Sequence, residues 1–166
     1  MTSQSGILIK QAELRDAALL YIIEKLSFPP DKAASLEAFE YRLSNSPQWF
    51  LKAELDGRTM GLINGSSSEQ PYITDDVYER DGGFSETGEN LLIYGLAVHP
   101  VYRHLGIAHK LMTAFLEKAV SAGKKHVSLT CKESLIGFYE SFGYSNHGIS
   151  ESVKGNIVNY DMEIYL

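Results

Sequence analysis

The sequence predicts a single mixed α/β domain, and three observations carry that prediction. The hydrophobic period is helical over residues 11–44 and turns extended over 48–67. Two extended runs flank Asp56-Gly57, a dipeptide suited to a tight hairpin turn. Over residues 91–131 an apolar run of strand length, an amphipathic helical stretch and a second short run follow in order. That order describes a β-α-β unit, with parallel strands and a right-handed crossover. A length of 166 residues fits one domain, 1–166, and 44% hydrophobic residues supply a core.

Taken in order, residues 6–10 read as a short strand. Residues 11–27 read as a helix, with Ala12, Leu14, Ala17, Ala18, Tyr21, Ile22 and Leu26 at helical spacing, and Pro29-Pro30 ends it. A second helix covers 31–44, with Asp31 as its cap and Leu36, Phe39, Glu40 and Leu43 along it. Residues 48–56 and 58–67 form the hairpin. The polar stretch 66–90, which includes Asp81-Gly82-Gly83, reads as a long loop with one helical turn near 74–80. The run LLIYGLAV, 91–98, has the continuous apolar character of a strand covered on both faces, and Pro100 ends it. The helix 105–122 turns Leu105, Ala108, Leu111, Met112, Phe115, Leu116 and Ala119 inward and closes at Ala122-Gly123. A strand at 126–131, a short helix at 134–142 ending at Gly143, and an antiparallel pair at 144–152 and 156–165 complete the chain.

Bulk properties narrow the function. A net charge of −6 and a pI near 5.3 argue against nucleic acid as the main partner, because phosphate binding wants a basic face. There is no apolar run long enough to span a membrane and no signal-peptide pattern at MTSQSGILIK. One cysteine, Cys131, rules out an internal disulfide framework and fits a reducing, cytoplasmic setting. His126 and His147 show no pairing, and no His/Cys/Asp spacing suggests a metal site.

The stretch YRHLGIAHKLM, Tyr102 to Met112, sets a basic pair and a glycine at the mouth of a helix. A helix start carries unsatisfied N–H groups and the positive end of the dipole, so an anion is favoured there. Gly106 lets a bulky anion approach the backbone, and Arg103 and His104 add charge or donors. A glycine that only makes room for a turn stands as the other reading.

The pattern Arg103-His104-Leu105-Gly106-Ile107-Ala108 resembles the [Arg/Gln]-x-x-Gly-x-[Gly/Ala] signature of the GNAT superfamily of acetyl-CoA-dependent N-acyltransferases. It follows a "LAVHP" segment typical of that superfamily, and GFYESFGY, Gly137 to Tyr144, resembles its "FYE-x-x-GF" segment. LAVHPVYRHLGIA and CKESLIGFYESFGY are most similar to the arylalkylamine (serotonin) N-acetyltransferase branch. The resemblance implies a mostly antiparallel central sheet with one splayed parallel pair, helices on both faces and acetyl-CoA as donor. It implies that the backbone of His104, Leu105, Gly106, Ile107, Ala108 and His109, beside Arg103, holds the pyrophosphate. It implies that Leu96, Ala97 and Val98 pair with the pantetheine arm, with the Val98 N–H on the thioester oxygen, and that Tyr139 donates a proton to the departing thiolate.

The pattern departs from that branch at the base. Where the branch carries two histidines, this chain has Leu92 and Tyr94. Tyr94 ordering water, a carboxylate from Glu86 or Glu89, and a water chain without one dedicated residue all stay open. Lys132 stands where many members carry Asn, and Cys131 reads as a buried strand-end residue rather than a nucleophile. Phe28, Tyr72, Tyr78 and Phe84 are aromatic candidates for the acceptor site, and Asp75, Asp76 and Glu79 are acidic ones. The expected activity is acetyl transfer to a small primary amine, of (aryl)alkylamine type, by direct attack in a ternary complex. A protein or peptide acceptor, and an acyl-CoA sensor without turnover, are the alternatives. Relatives suggest a homodimer through the apolar faces of the last strands.

Overall fold

Seven strands form one mixed sheet in the computed structural model, which describes residues 6–78 and 85–166. The elements are β1 (Leu8–Gln11), α1 (Ala17–Ser27), α2 (Leu36–Asn45), β2 (Phe50–Leu55), β3 (Arg58–Ser68), β4 (Asn90–Val98), α3 (Ile107–Ser121), β5 (His126–Cys131), α4 (Ile136–Glu140), β6 (Ser145–Ile149) and β7 (Tyr160–Tyr165). The order is β1-β2-β3-β4-β5-β7-β6. The ladders β1–β2, β2–β3, β5–β7 and β6–β7 are antiparallel, and β4–β5 is parallel. The β2–β3 turn places Asp56 at φ 51° and Gly57 at φ 77°, the left-handed pair a two-residue hairpin needs. No helix among the described residues is long and apolar enough to cross a membrane.

The chain forms two compact units that share the long strands β3 and β4: residues 1–64 with 95–118, and residues 65–94 with 119–166. In the first, Leu20 and Ile23 of α1, Phe39 and Leu43 of α2, and Phe50, Leu62 and Ala97 of the strands make one buried cluster. Leu62 faces α1 and α2. At Gly61, a side chain on the opposite face would meet Leu111 and Ile107 of α3, so helices cover both faces here. The Phe115 ring packs against Trp49 at 5.5 Å. In β1–β2 the register sets Lys10 opposite Lys52. Glu54 relieves that repulsion by pairing with both, at 2.6 and 3.3 Å, while Asp16 takes Lys52 at 3.0 Å.

Three helix details differ from the sequence reading. The segment before Ala17 is a 3-10 turn, Leu14–Asp16, and α1 buries Ala17, Leu20, Ile23 and Glu24. Leu14, Ile22 and Leu26, expected inward, are about half exposed. Helix α2 starts later than expected and is capped by Ser35, whose hydroxyl accepts from the Ala38 N–H at 3.0 Å, rather than by Asp31. Helix α3 starts at Ile107, so Leu105 lies before it and is exposed, while Ile107 is buried.

In the second unit, β7 pairs with both β5 and β6, and β6 is the outer strand. The segment after β3 carries a 3-10 turn, Asp75–Tyr78, near the expected place, and packs Ile73 and Val77 on Leu92.

The phase of α1 is testable by thermal unfolding. Leu20→Ala is expected to cost about 2–5 kcal/mol, and Ile22→Ala about 0.5 kcal/mol or less.

Candidate active site

The parallel ladder is short. It registers Asn90, Leu91 and Leu92 of β4 with His126, Val127 and Ser128 of β5, and stops there. Beyond Leu92 the edge of β4 that would pair with β5 carries no such ladder. The His99 N–H donates to the Met60 carbonyl of β3 at 2.8 Å. Since alternate residues point their backbone groups to opposite edges, the N–H groups of Leu96 and Val98 point away from β3. This is the splayed strand the resemblance implies, with donors left on its open edge.

Nine residues past Val98 the chain offers a second set. A 3-10 turn, Pro100–Tyr102, is capped by His99, whose Nδ1 accepts from the Val101 N–H at 3.1 Å. His99 is thereby structural. His104 then takes φ 67° and Gly106 φ 77°, both left-handed. The first bond of α3 runs from the Lys110 N–H to the Gly106 carbonyl, at 3.1 Å. The N–H groups of Ile107, Ala108 and His109 precede it and have no acceptor within the helix. A Cβ at Gly106 would meet nothing within 4 Å, so packing does not explain the glycine. Its φ does, together with open space for a bulky group beside the helix start. Arg103, His104 and His109 are exposed around this turn, and the His109 Nδ1 lies 3.4 Å from the Thr113 hydroxyl. The ten expected coenzyme residues, Leu96–Val98 and Arg103–His109, thus all lie in the first unit, on two segments joined by one short turn.

The sequence reading missed a buried carboxylate beside them. Glu24 of α1 is 4% exposed, and one oxygen accepts from the Ala34 N–H at 2.8 Å. The other lies 3.6 Å from where a Cβ on Gly95 would sit, level with the Asn64 amide nitrogen. Arg42, also buried, donates to the Asn64 carbonyl oxygen at 3.0 Å. Gly95 directly precedes Leu96.

Of the two expected catalytic tyrosines, Tyr94 shares a short hydrogen bond with the Ser66 hydroxyl and lies near the Tyr78 ring. Leu92 is fully buried against Ile73 and Val77. Tyr139 on α4 is 8% exposed and packs edge-on to Phe138. Burial, and then the neighbouring Cys131, push its phenol well above the ordinary tyrosine value, so it stays protonated. Cys131 is buried and in no disulfide. Lys132 is exposed just before the turn leading to α4.

The acceptor candidates fare unevenly. Glu79 and Phe84 lie outside the described residues. Phe28 packs on the α1–α2 cluster. Asp75 is taken by the β6–β7 connection, accepting from the Ser152 hydroxyl at 2.6 Å and the Val153 N–H at 3.2 Å. Asp76 accepts from Thr74, and the Tyr78 hydroxyl pairs with Thr130. Glu86 and Glu89 are exposed loop carboxylates. Tyr72 is the productive one, because its hydroxyl donates to Glu163 Oε1 at 2.8 Å.

Glu163 also corrects the reading of His126 and His147 as unpaired. His126 Nε2 meets Glu163 Oε1 at 2.8 Å, and His147 Nδ1 meets Oε2 at 2.8 Å. Tyr72 stacks on His147 with ring centroids 4.3 Å apart. Burial alone would raise the Glu163 carboxyl, yet His126, Tyr72 and His147 together hold it below its ordinary value. No local pattern marks this cluster, since Tyr72 and Glu163 are 91 residues apart.

The model of the acetyltransferase (GNAT) family matches residues 17–144, and the chain belongs to that family. An acetyltransferase of Yersinia pestis is 28% identical over 108 residues. That match covers 63% of this chain, and the chain spans about 63% of the length of the curated relatives it matches. GphF, a GNAT-like decarboxylase solved with isobutyryl-CoA, superposes with a TM-score of 0.83 over 95% of this chain and 98% of its own, at 18% identity. A GNAT family acetyltransferase of Brucella melitensis solved with acetyl-CoA gives 0.64 over 96% and 88%, at 18% identity. At such identities the likeness is one of fold.

The Glu163 cluster makes a pH prediction. A carboxyl held below its ordinary value of 4.5 contributes stability that is fully present above that value and lost as pH falls through the lowered one. Glu163→Gln is expected to cost about 1–3 kcal/mol at neutral pH. The gap to the wild type should close on acidification below 4.5, as read from urea unfolding across pH.

Proposed function

We propose that this chain, as one domain over residues 1–166, is an acetyl-CoA-dependent N-acetyltransferase acting on a small primary amine by direct attack in a ternary complex. The carrying observation is the conjunction in the first unit of an open strand edge at Leu96–Val98 and a left-handed turn at His104–Gly106 opening α3. The two are donors for an extended amide-bearing arm and for a diphosphate, the two parts of coenzyme A. The complexes of the structural neighbours with acetyl-CoA and isobutyryl-CoA support the same reading.

In this reading the Val98 N–H meets the thioester oxygen as negative charge develops on it. Glu24 takes a proton from the incoming ammonium, so that the neutral nitrogen forms the new C–N bond. As the C–S bond breaks, Tyr139 gives its proton to the thiolate, and the second proton leaving the acetylated nitrogen returns through water to the Tyr139 oxygen. The assignment of Glu24 rests on its burial beside Gly95. It replaces Glu86, Glu89 and a histidine at position 92 or 94, where Leu92 is core and Tyr94 is tied to Ser66. The lack of those histidines speaks for a small amine rather than an arylalkylamine in particular. A homodimer through the apolar faces of the last strands belongs to the same proposal and is checked by sedimentation.

Titration calorimetry with acetyl-CoA tests the site. Gly106→Glu puts bulk and negative charge at the turn and is expected to weaken binding about a hundredfold or more. Unchanged affinity in that variant would remove the assignment. Tyr139→Phe and Glu24→Gln are each expected to lower kcat about a hundredfold or more while acetyl-CoA affinity holds. Binding without turnover on any amine would make the chain an acyl-CoA-binding module instead.

A further inference from the structure

The second unit holds a cavity that the proposed chemistry does not use. Its volume is about 480 Å³, and Gln70, Tyr72, Ile73, His147, Ile149 and Asp161 are among its walls, with Glu151 at its edge. That size suits a small organic ligand. Asp161 is 7% exposed, and its Oδ1 is buried with no hydrogen-bond partner. Ser150 bonds to the carboxylate, yet burial still holds its affinity for a proton above that of an ordinary aspartate. A buried carboxylate oxygen without a donor is costly, and a cation at that oxygen removes the cost.

The surrounding charges leave that cation to come from outside. Neither Lys nor Arg lines the cavity. His147, from β6, pairs with Glu163 of β7, and its charge acts on Asp161 too, lowering that carboxyl by less than burial raises it. From the loop before β4, Asp75 is held by Ser152 and Val153, and Asp76 by Thr74. Lys154 sits over the Tyr78 ring, 4.7 Å from its centroid. What faces the cavity is therefore net acidic at one end, with Ile73, Ile149 and Pro71 as apolar wall. Apolar wall and acidic end fit an alkyl chain ending in an ammonium.

We propose that this cavity binds the ammonium end of an alkylamine, with Asp161 as its counter-ion.

The test is calorimetry with putrescine, n-butylamine and n-butanol, run apart from the acetyl-CoA titration. Putrescine and n-butylamine are expected to bind and n-butanol not to. Asp161→Asn should weaken both amines about tenfold or more. Ile149→Trp, at a position 72% exposed, should block the cavity without touching the core. Cooperative thermal unfolding of both variants shows that they fold. Absence of heat with either amine, or equal affinity in Asp161→Asn and Ile149→Trp, overturns the cavity whatever acetyl-CoA does. If acetyl-CoA fails to bind while the amines do, the enzyme reading falls and the ammonium site stands.

Discussion

Backbone N–H groups without acceptors are the constraint on which the rest of the site depends. Such groups are costly when buried and useful when aimed at a ligand. Here donors outside the ladder and ahead of the first helical bond occur twice between Leu96 and His109. The parallel ladder ends after Leu92, which leaves the Leu96 and Val98 donors on an open edge, and α3 begins at Ile107, with the Ile107, Ala108 and His109 N–H groups ahead of its first helical bond. The left-handed residues His104 and Gly106 turn the chain from one set to the other. A strand that stayed paired to its end, or a helix capped by a side chain, would have removed one of the two.

The features around these donors serve to hold them. His99 fixes the turn from its own ring nitrogen, and Met60 fixes the strand from β3. Ile107 and Leu111 pack against β3 where Gly61 lets α3 come close, so the start of the helix is anchored by its buried face. Glu24 is brought to Gly95 by the same face of α1 that packs Leu20 and Ile23 into the core. Core packing therefore sets the position of a carboxylate that local sequence gives no reason to notice.

Much of this was legible, and where it was not the reason is physical. Turn chemistry is local, so Asp56-Gly57 marked the hairpin, and β5 falls on the expected residues 126–131. The glycine turn was readable because its residues are contiguous. The phase of α1 was not. Leu14, Leu19, Leu20, Ile22, Ile23 and Leu26 surround that segment with apolar side chains, and only the partners in β2 and β3 decide which are buried. Ser35 and Asp31 both suit a cap, and only the folded chain shows Ser35 in that place. The Glu163 cluster draws on the β3–β4 loop, β5, β6 and β7, and the cavity at Asp161 on the loop, β6 and β7, so neither has a sequence period to betray it.

Amide hydrogen exchange resolved to single residues, with and without coenzyme A, tests the central claim most directly. The account predicts slower exchange at Leu96, Val98, Ile107, Ala108 and His109 when the coenzyme is present, with little change at the strand pairs of β1–β2. Exchange at those five amides that is indifferent to the coenzyme would contradict it, and the open edge and the glycine turn would then be features of the fold alone.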